Sequence, residues 1–500
     1  MSRTSISTGN FSLDAAVDKK AFSASRKSRG VENSSHCHIV FLADFSGRGH
    51  RGLSDASTIY SRKIIEIDRD NFDDVFQQMD VRCALPIAEE LRFSELDEMH
   101  PDYLYEQVDL FHKFKVLKKK LKSPSTFESA AQEVFAWHNT EQKPASDQGA
   151  KPTTGNAPQG SLLDSILTGD ATSKHSGQMD VQALVKDIVA PYVSPKPDPQ
   201  QKELIHSVDQ AASELMRKIM HHPQFQTIES AWRSLYLLVR RIETSSKLKL
   251  FIVDISHQEL IEDALSAEAA EASQLNKLLV DSRSALGGKA FNIIMADEIF
   301  GIEQRGIQAL NLLGKIADSA NALFISGAST ELAGCESLGT TPDREDWNFL
   351  PDEPVQDAWR ALRASPHADR MISVAPRFLS RMPYGRKSSP IDSFHFEELP
   401  DGNKHAYYLW SNGAWLVALL LAQGFSVNGS ITRKSTQEVE RLPLHVFYED
   451  GESKVTPCAE VNLFDSAAQA LEQQGFTVVR SILNKDSVLV PQIQTLATRS

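Results

Sequence analysis

The sequence predicts an α/β chain, mixed α+β in detail, with helices packed on central sheets. Three observations carry that expectation. The stretch from Leu215 to Ser256 joins a helical pattern directly to an apolar run of strand length. The chain beyond it keeps alternating helix and strand patterns, as layers around a substantially parallel sheet require. A composition of 41% hydrophobic and 24% charged residues over 500 positions is ordinary for globular domains and supports two or more cores.

In the leading stretch, Phe225, Ile228, Trp232, Leu235 and Val239 recur at three- and four-residue steps. This spacing predicts a helix with one broad apolar face and with Gln226, Glu229 and Arg233 turned elsewhere. Pro223 suits its first turn, where no amide donor is lost. Beyond Glu243 the run from Leu248 to Ile255 is mostly apolar, hence a strand covered on both faces.

Residues 1–36 are rich in Ser, Lys, Arg and Gly without periodicity, which predicts a disordered arm. Residues 37–138 form a first unit. From His38, HIVFLADFSGRGHRG predicts a strand ending in a glycine-rich turn. Gly47, Gly49 and Gly52 spell GxGxxG, and Asp68 follows about 20 residues on, as a dinucleotide site would have it. The polar LSDASTIYSRK follows the glycines in place of a small-residue helix, and His50 and Arg51 crowd the pyrophosphate position. A flexible turn is the stronger expectation. Arg62 to Asp68 then alternates as a strand. Asp68, Arg69 and Asn71 make a capping and surface-pairing region, and Phe72, Val75, Phe76 and Met79 mark the inner face of a helix. These acids lack the glycine and bidentate glutamate of an EF-hand, so no metal is expected. A short strand at Leu91 to Phe93 precedes a helix opened by Pro101, and the basic run from Lys113 to Lys122 reads as a solvated helix face.

Residues 139–200 shift to Pro, Gly, Gln, Thr and Lys, a linker composition broken by short apolar islands at 161–167 and 181–189. Residues 201–500 form the second unit. After the leading pair come a helix at 260–280, a strand at 291–295, a helix at 306–322 and a strand at 323–329. The block from Trp359 to Trp415 is the richest in motifs. Arg377 and Arg381, four apart, are expected on one face, bracing Glu397 or Glu398. Tyr384, Trp410 and Trp415 supply apolar anchors, and Phe378, Pro383, Gly385 and Asn412 complete the candidate packing set. Buried arginine forks fix register between packed units as readily as they hold a ligand.

Several functions are disfavoured. A net charge of −13 argues against nucleic acid as the main partner. Four scattered cysteines without CxxC spacing point to free thiols in a reducing cytoplasm. The polar N-terminus lacks a signal h-region, and the longest apolar run, WLVALLLA from Trp415, is too short to span a membrane. His445 and Cys458 lack the surroundings of a nucleophile pair, and the adjacent Glu397 and Glu398 would diverge in a strand. No catalytic residue, cofactor or metal is assigned.

Taken in order, the motifs resemble two known families. DFSG at 44–47, IDRDNFDDV at 67–75 and LDEMHPDYLYEQV at 96–108 are similar to the small sheath subunit (TssB or VipA) of bacterial type VI secretion systems. HHPQFQ at 221–226, AWR at 231–233, PRFLSRMPYG at 376–385, FHFEE at 394–398 and YLWSNGA at 408–414 resemble the large subunit (TssC or VipB). The resemblance implies layered sheath-type domains and a structural, non-enzymatic role in the cytoplasm. In those systems the two subunits pair, polymerise around an inner tube of Hcp, contract, and are disassembled by the ClpV ATPase. The implied partners are therefore sheath subunits, Hcp, baseplate proteins and ClpV. Fusing small and large partners would raise their effective concentration. The large subunit usually continues past the position matching Ile493 to Leu496, with strands that join its neighbours by β-augmentation. A specialised terminal, baseplate-proximal or assembly-regulating unit is the resulting expectation. The rivals are a nucleotide-binding α/β enzyme using the Gly47–Gly52 turn and a regulatory adaptor that binds sheath subunits.

Overall fold

A computed structural model describes residues 34–86, 90–139, 201–285, 288–399, 405–433, 436–449 and 451–498. The expected arm up to residue 33, and the linker with its two islands over 140–200, lie outside the described residues. In chain order the front segment contains strands β1 (Cys37–Ala43) and β2 (Ile65–Ile67), helix α1 (Phe72–Gln78) and a β3–β4 pair (Val81–Cys83, Leu91–Phe93). Helices α2 (Pro101–Gln107), α3 (Asp109–Lys122) and α4 (Phe127–Asn139) complete it. The back segment opens with α5 (Gln201–Met220) and α6 (Pro223–Arg241), then β5 (Leu248–Asp254), α7 (His257–Ser266), β6 (Ile293–Phe300), α8 (Gln304–Ala320) and β7 (Leu323–Ala328). It continues through α9 (Glu353–Ala364), β8 (Met371–Ala375), β9 (Phe378–Leu379), β10 (Trp410–Ser411) and α10 (Ala414–Asn428). The last elements are β11 (Gln437–Val439), β12 (His445–Glu449), β13 (Glu452–Thr456), α11 (Asp465–Gln473), β14 (Phe476–Val478), β15 (Arg480–Ser481) and β16 (Val488–Val490).

The organising element is a seven-stranded sheet in the order β14-β8-β7-β6-β1-β5-β2. Every neighbouring pair is parallel except β2 against β5. The front segment thus supplies an internal strand to a sheet otherwise built mainly from the back segment. CHIVFLA can fill that position because both of its faces are apolar, as a strand covered by two layers must be. Ile39 and Phe41 face one layer with Leu250, Ile252, Met295 and Ile325. Val40 and Leu42 face the other with Val253, Ile294 and Phe324.

On the first face lie α6 and α10. The first nine residues of α10 are buried all round, and Trp415 stacks on Phe41 with ring centroids 4.9 Å apart. Its apolar run is a core helix, and no helix among the described residues is long and apolar enough to cross a membrane. Trp232 of α6 donates to the Phe45 carbonyl at 2.7 Å and packs its ring against Phe45, Phe72 and Phe76, all from the front segment. On the second face α8 packs Ile307, Leu310, Leu313 and Ala317 inward.

Three expected elements differ. The single helix over 260–280 is interrupted because the buried Asp263 carboxylate accepts from Ser273 Oγ at 2.7 Å and from the Gln274 and Leu275 amides. That capping turns the chain into a second helical segment. The strand over 62–68 shrinks to β2, because Arg62 leaves the strand line to donate to the Asp254 carbonyl at 2.6 Å. The helix from Pro101 breaks at Val108, which is extended (φ −82°, ψ 120°) and buried.

Candidate functional site

The residues singled out in the sequence converge most closely around Arg381. Glu229 and Arg233 stand one helical turn apart on α6, at the spacing that lets side chains meet. Arg381, Tyr384 and Glu398 come from the loop after β9, and His221 from the α5–α6 corner. Arg381 Nε donates to Glu229 Oε1 at 2.8 Å and Nη2 to Oε2 at 3.3 Å. Its Nη1 and Nη2 reach the two Glu398 oxygens at 2.8 and 3.0 Å. The guanidinium therefore forms a fork on each of two carboxylates. Arg233 Nε donates to Glu229 Oε1 at 2.7 Å and its Nη2 to the Tyr384 hydroxyl at 3.2 Å. The Tyr384 amide closes the ring by donating to Glu398 Oε2 at 2.7 Å. His221 Nε2 lies 3.5 Å from Glu398 and its ring stacks on Tyr407.

Two cations and two anions thus balance in a place where Glu229, Glu398 and Arg381 are shut off from water. Burial by itself would raise the Glu398 carboxyl, but Arg381 and His221 more than reverse this and hold it at about 2. Glu229 is likewise held below its usual range: burial opposes the shift, and Arg381 and Arg233 overcome it. The front segment borders this network. His100 sets its ring edge-on against Tyr384 at 4.8 Å, and Asp102 accepts the Asp392 and Ser393 amides at 3.0 and 2.8 Å. Tyr105 stacks on Phe394 at 4.5 Å.

Other expected pairings are corrected. Arg377 does not brace Glu397 or Glu398. Residues 378–379 are extended and the chain bends after Leu379, so Arg377 and Arg381 part company. Arg377 pairs with the buried Glu460, through its amide at 3.0 Å and its guanidinium, and His405 adds a contact at 3.3 Å. Burial would raise Glu460, yet His405 and Arg377 hold it at about 2. Glu397 is half-buried and accepts the Arg386 amide at 3.1 Å. Gly385 leaves room for it, since a Cβ there would run into the Glu397 carboxylate. The two glutamates diverge from an irregular loop and not from a strand.

The remaining candidates hold local structure. Asn412 Nδ2 donates to the Glu298 carbonyl at 3.1 Å, and Trp410 Nε1 to the His405 carbonyl at 2.8 Å. Phe378 and Pro383 are buried. Asp68 Oδ1 accepts the Asp70 and Asn71 amides, and Asn71 returns a bond to the Glu66 carbonyl, while Arg69 is exposed. Asn71 stands at the start of α1 but makes no side-chain cap bond to it. Pro223 occupies the first turn of α6, and Phe225 packs on Phe93 of the front segment.

A second network, which the sequence did not signal, joins the two segments. Glu259, fully buried on α7, accepts from Arg62 Nη2 at 2.5 Å and from Arg48 Nη2 at 3.2 Å. Asp254, at the end of β5, accepts the Ser46 amide at 3.0 Å and the Ser46 hydroxyl at 2.7 Å. The glycine-rich turn is thereby committed to the fold. The Arg48 and Gly49 amides, which a phosphate would need, are taken by Asp44 at 2.6 and 2.8 Å. Two short helical turns, Gly49–Arg51 and Ala56–Ser61, follow in place of the long helix of a dinucleotide site. Gly47 has φ +78°, and a Cβ there would strike the Arg82 carbonyl oxygen. Burial pushes the Cys458 thiol up to about 12, and His445 Nδ1 is 2.9 Å from the Tyr408 hydroxyl, so the two do not form a nucleophile pair.

These carboxylates set an acid limit. A glutamate held at about 2 in the fold and near 4.3 when unfolded contributes its full stabilisation above the unfolded value. The contribution is lost as pH falls toward 2. Urea midpoints measured across pH are expected to drop steeply between about pH 4.5 and 2, and the drop should be shallower in Glu398→Gln.

Comparison with known proteins agrees with this architecture. Residues 202–497 match VipB, the EvpB-type tail sheath N-terminal domain, and residues 36–134 match the VipA family of the type VI secretion system. The type VI secretion system sheath protein TssC1 of Pseudomonas aeruginosa is 30% identical over 293 residues, which is 57% of this chain and 59% of that protein. The chain thus spans less than two thirds of that relative's length. The buried networks just described fall within the two matched segments and across their junction, and the chain belongs to the VipB family of tail sheath proteins, with a VipA-family segment ahead of that domain.

Proposed function

We propose that this chain is a non-enzymatic structural component of a type VI secretion contractile sheath, working in the cytoplasm as a fused small and large subunit. The observation that carries the reading is β1: the VipA-like segment places an internal strand between β5 and β6 of the VipB-like segment. Arg48 and Arg62 then lock that segment onto Glu259. A body assembled in this way presents its outer surfaces to other sheath subunits, and through them to an inner tube, a baseplate or a disassembling ATPase. A structural role is further supported by the Gly47–Gly52 turn, where the Arg48 and Gly49 amides and the Arg48 guanidinium are already taken by the protein's own carboxylates. Electron microscopy of the purified chain, alone and mixed with separate small and large sheath subunits, tests this. Incorporation into tubes or rings is expected; failure to associate with sheath subunits under conditions where those polymerise would contradict it.

A further inference from the structure

Strands β12 and β13 pair antiparallel with each other, and no third strand flanks them among the described residues. With five residues each they are the longest strands outside the seven-stranded sheet. Two strands alone are marginal in water, and an open edge is a template for a further strand. One face of the hairpin is apolar and uncovered: Val446 is 48% exposed and Tyr448 68%, and Val455 lies across from Val446.

The two outer edges differ in what they can accept. In β13, ESKVT, the middle residue is Lys454, which would oppose its own copy in a two-fold pairing about that position. β12, HVFYE, carries no Lys or Arg and matches its own reverse. Antiparallel pairing about Phe447 sets Val446 opposite Tyr448 of a second copy, and His445 opposite Glu449 of that copy, at both ends of the contact. The two Phe447 residues meet on the axis. An aromatic residue against a β-branched one and a histidine against a carboxylate are favourable cross-strand pairs. Within its own hairpin Glu449 instead opposes Glu452, a like-charge pair eased by the bond from Lys454. Because the axis passes through a residue, backbone groups that point outward on one strand meet groups that point outward on the other. Moving the axis by one residue loses both matches. We infer that β12 is a self-association edge, through which two copies of this chain join about a two-fold axis at Phe447 to make a four-stranded sheet. The four exposed side chains, Val446 and Tyr448 from each copy, then form one patch on one face of that sheet. A contact of this symmetry closes at two copies, whereas a growing polymer needs a head-to-tail one. It therefore stands apart from the sheath reading and can fail without it.

The test mixes two forms of the full chain, one carrying Val446→Cys and the other Tyr448→Cys, oxidises them mildly and maps the disulfides by mass spectrometry. Both positions are exposed, so neither substitution touches the core, and the four natural cysteines are buried. Directly opposed residues of antiparallel strands lie about 4.5–5.5 Å apart at Cα, within disulfide reach. The mixed 446–448 disulfide is expected in at least about tenfold excess over the 446–446 and 448–448 disulfides. It is expected in similar excess over the 453–455 disulfide of a Ser453→Cys and Val455→Cys mixture, which probes the β13 edge in the same way. A statistical mixture of all three disulfides, a yield no greater than that of the β13 mixture, or no disulfide between copies would overturn the inference.

Discussion

Arg381→Leu is expected to destabilise the chain by about 3–5 kcal/mol, because it strands buried charge without removing it. Glu229 would retain Arg233, but Glu398 would keep only the Tyr384 amide and the 3.5 Å approach of His221. Arg381→Lys should rescue little. An ammonium is a single point charge, whereas the guanidinium forks onto two carboxylates at once. Arg377→Leu is the informative comparison. Its side chain is 39% exposed at the edge of the Glu460 pair, and its loss is expected to cost clearly less. Adding Glu398→Gln alone to Arg381→Leu should recover part of the loss, since Glu229 keeps its pairing with Arg233 and the stranded carboxylate is then gone. Urea denaturation measures each step; a loss below 1 kcal/mol for Arg381→Leu would mean the network is not held as described.

Trp232→Ala is expected to cost about as much, 3–5 kcal/mol on the order of a buried Trp truncation, for a different reason. The indole is fully buried, and its contacts with Phe45, Phe72 and Phe76 tie α6 to the turn after β1 and to α1 in the front segment. Truncation opens a cavity at the junction and leaves the Phe45 carbonyl without the indole donor. Unlike Arg381→Leu, it should loosen the front segment first. Hydrogen exchange in α1 and in the turn after β1 is therefore expected to rise before exchange in α8 does.

Local patterns made much of this fold legible. The strands β1, β5 and β7 are apolar on both faces, and α10 is apolar all round, so both types of element announce burial wherever they end up. Strand order was not legible. Nothing in CHIVFLA says that its neighbours are β5 and β6, whose first residues lie more than two hundred positions away, because pairing is decided by packing at long range. The Arg381 network was half legible. Arg381, Tyr384, Arg233 and Glu398 stood out in motifs, but Glu229 was placed off the apolar face. A signal for it does exist: Glu229 stands four after Phe225 and three before Trp232, on the same helical face as both. A carboxylate in that position demands a buried cation. The Glu259 network was less visible still, because Arg48 sits in a turn and Arg62 just past a short helical turn, in stretches whose composition suggests exposure.

If the front segment supplies an internal strand of a shared sheet, cutting the connection should not separate the halves. A site-specific protease sequence inserted between Ala150 and Lys151 allows the test on the folded chain. After cleavage, the two fragments are predicted to co-elute as one body in size-exclusion chromatography, with the Val40 and Leu42 amides still protected from exchange. Fragments that elute apart, each retaining its secondary structure, would contradict the shared sheet.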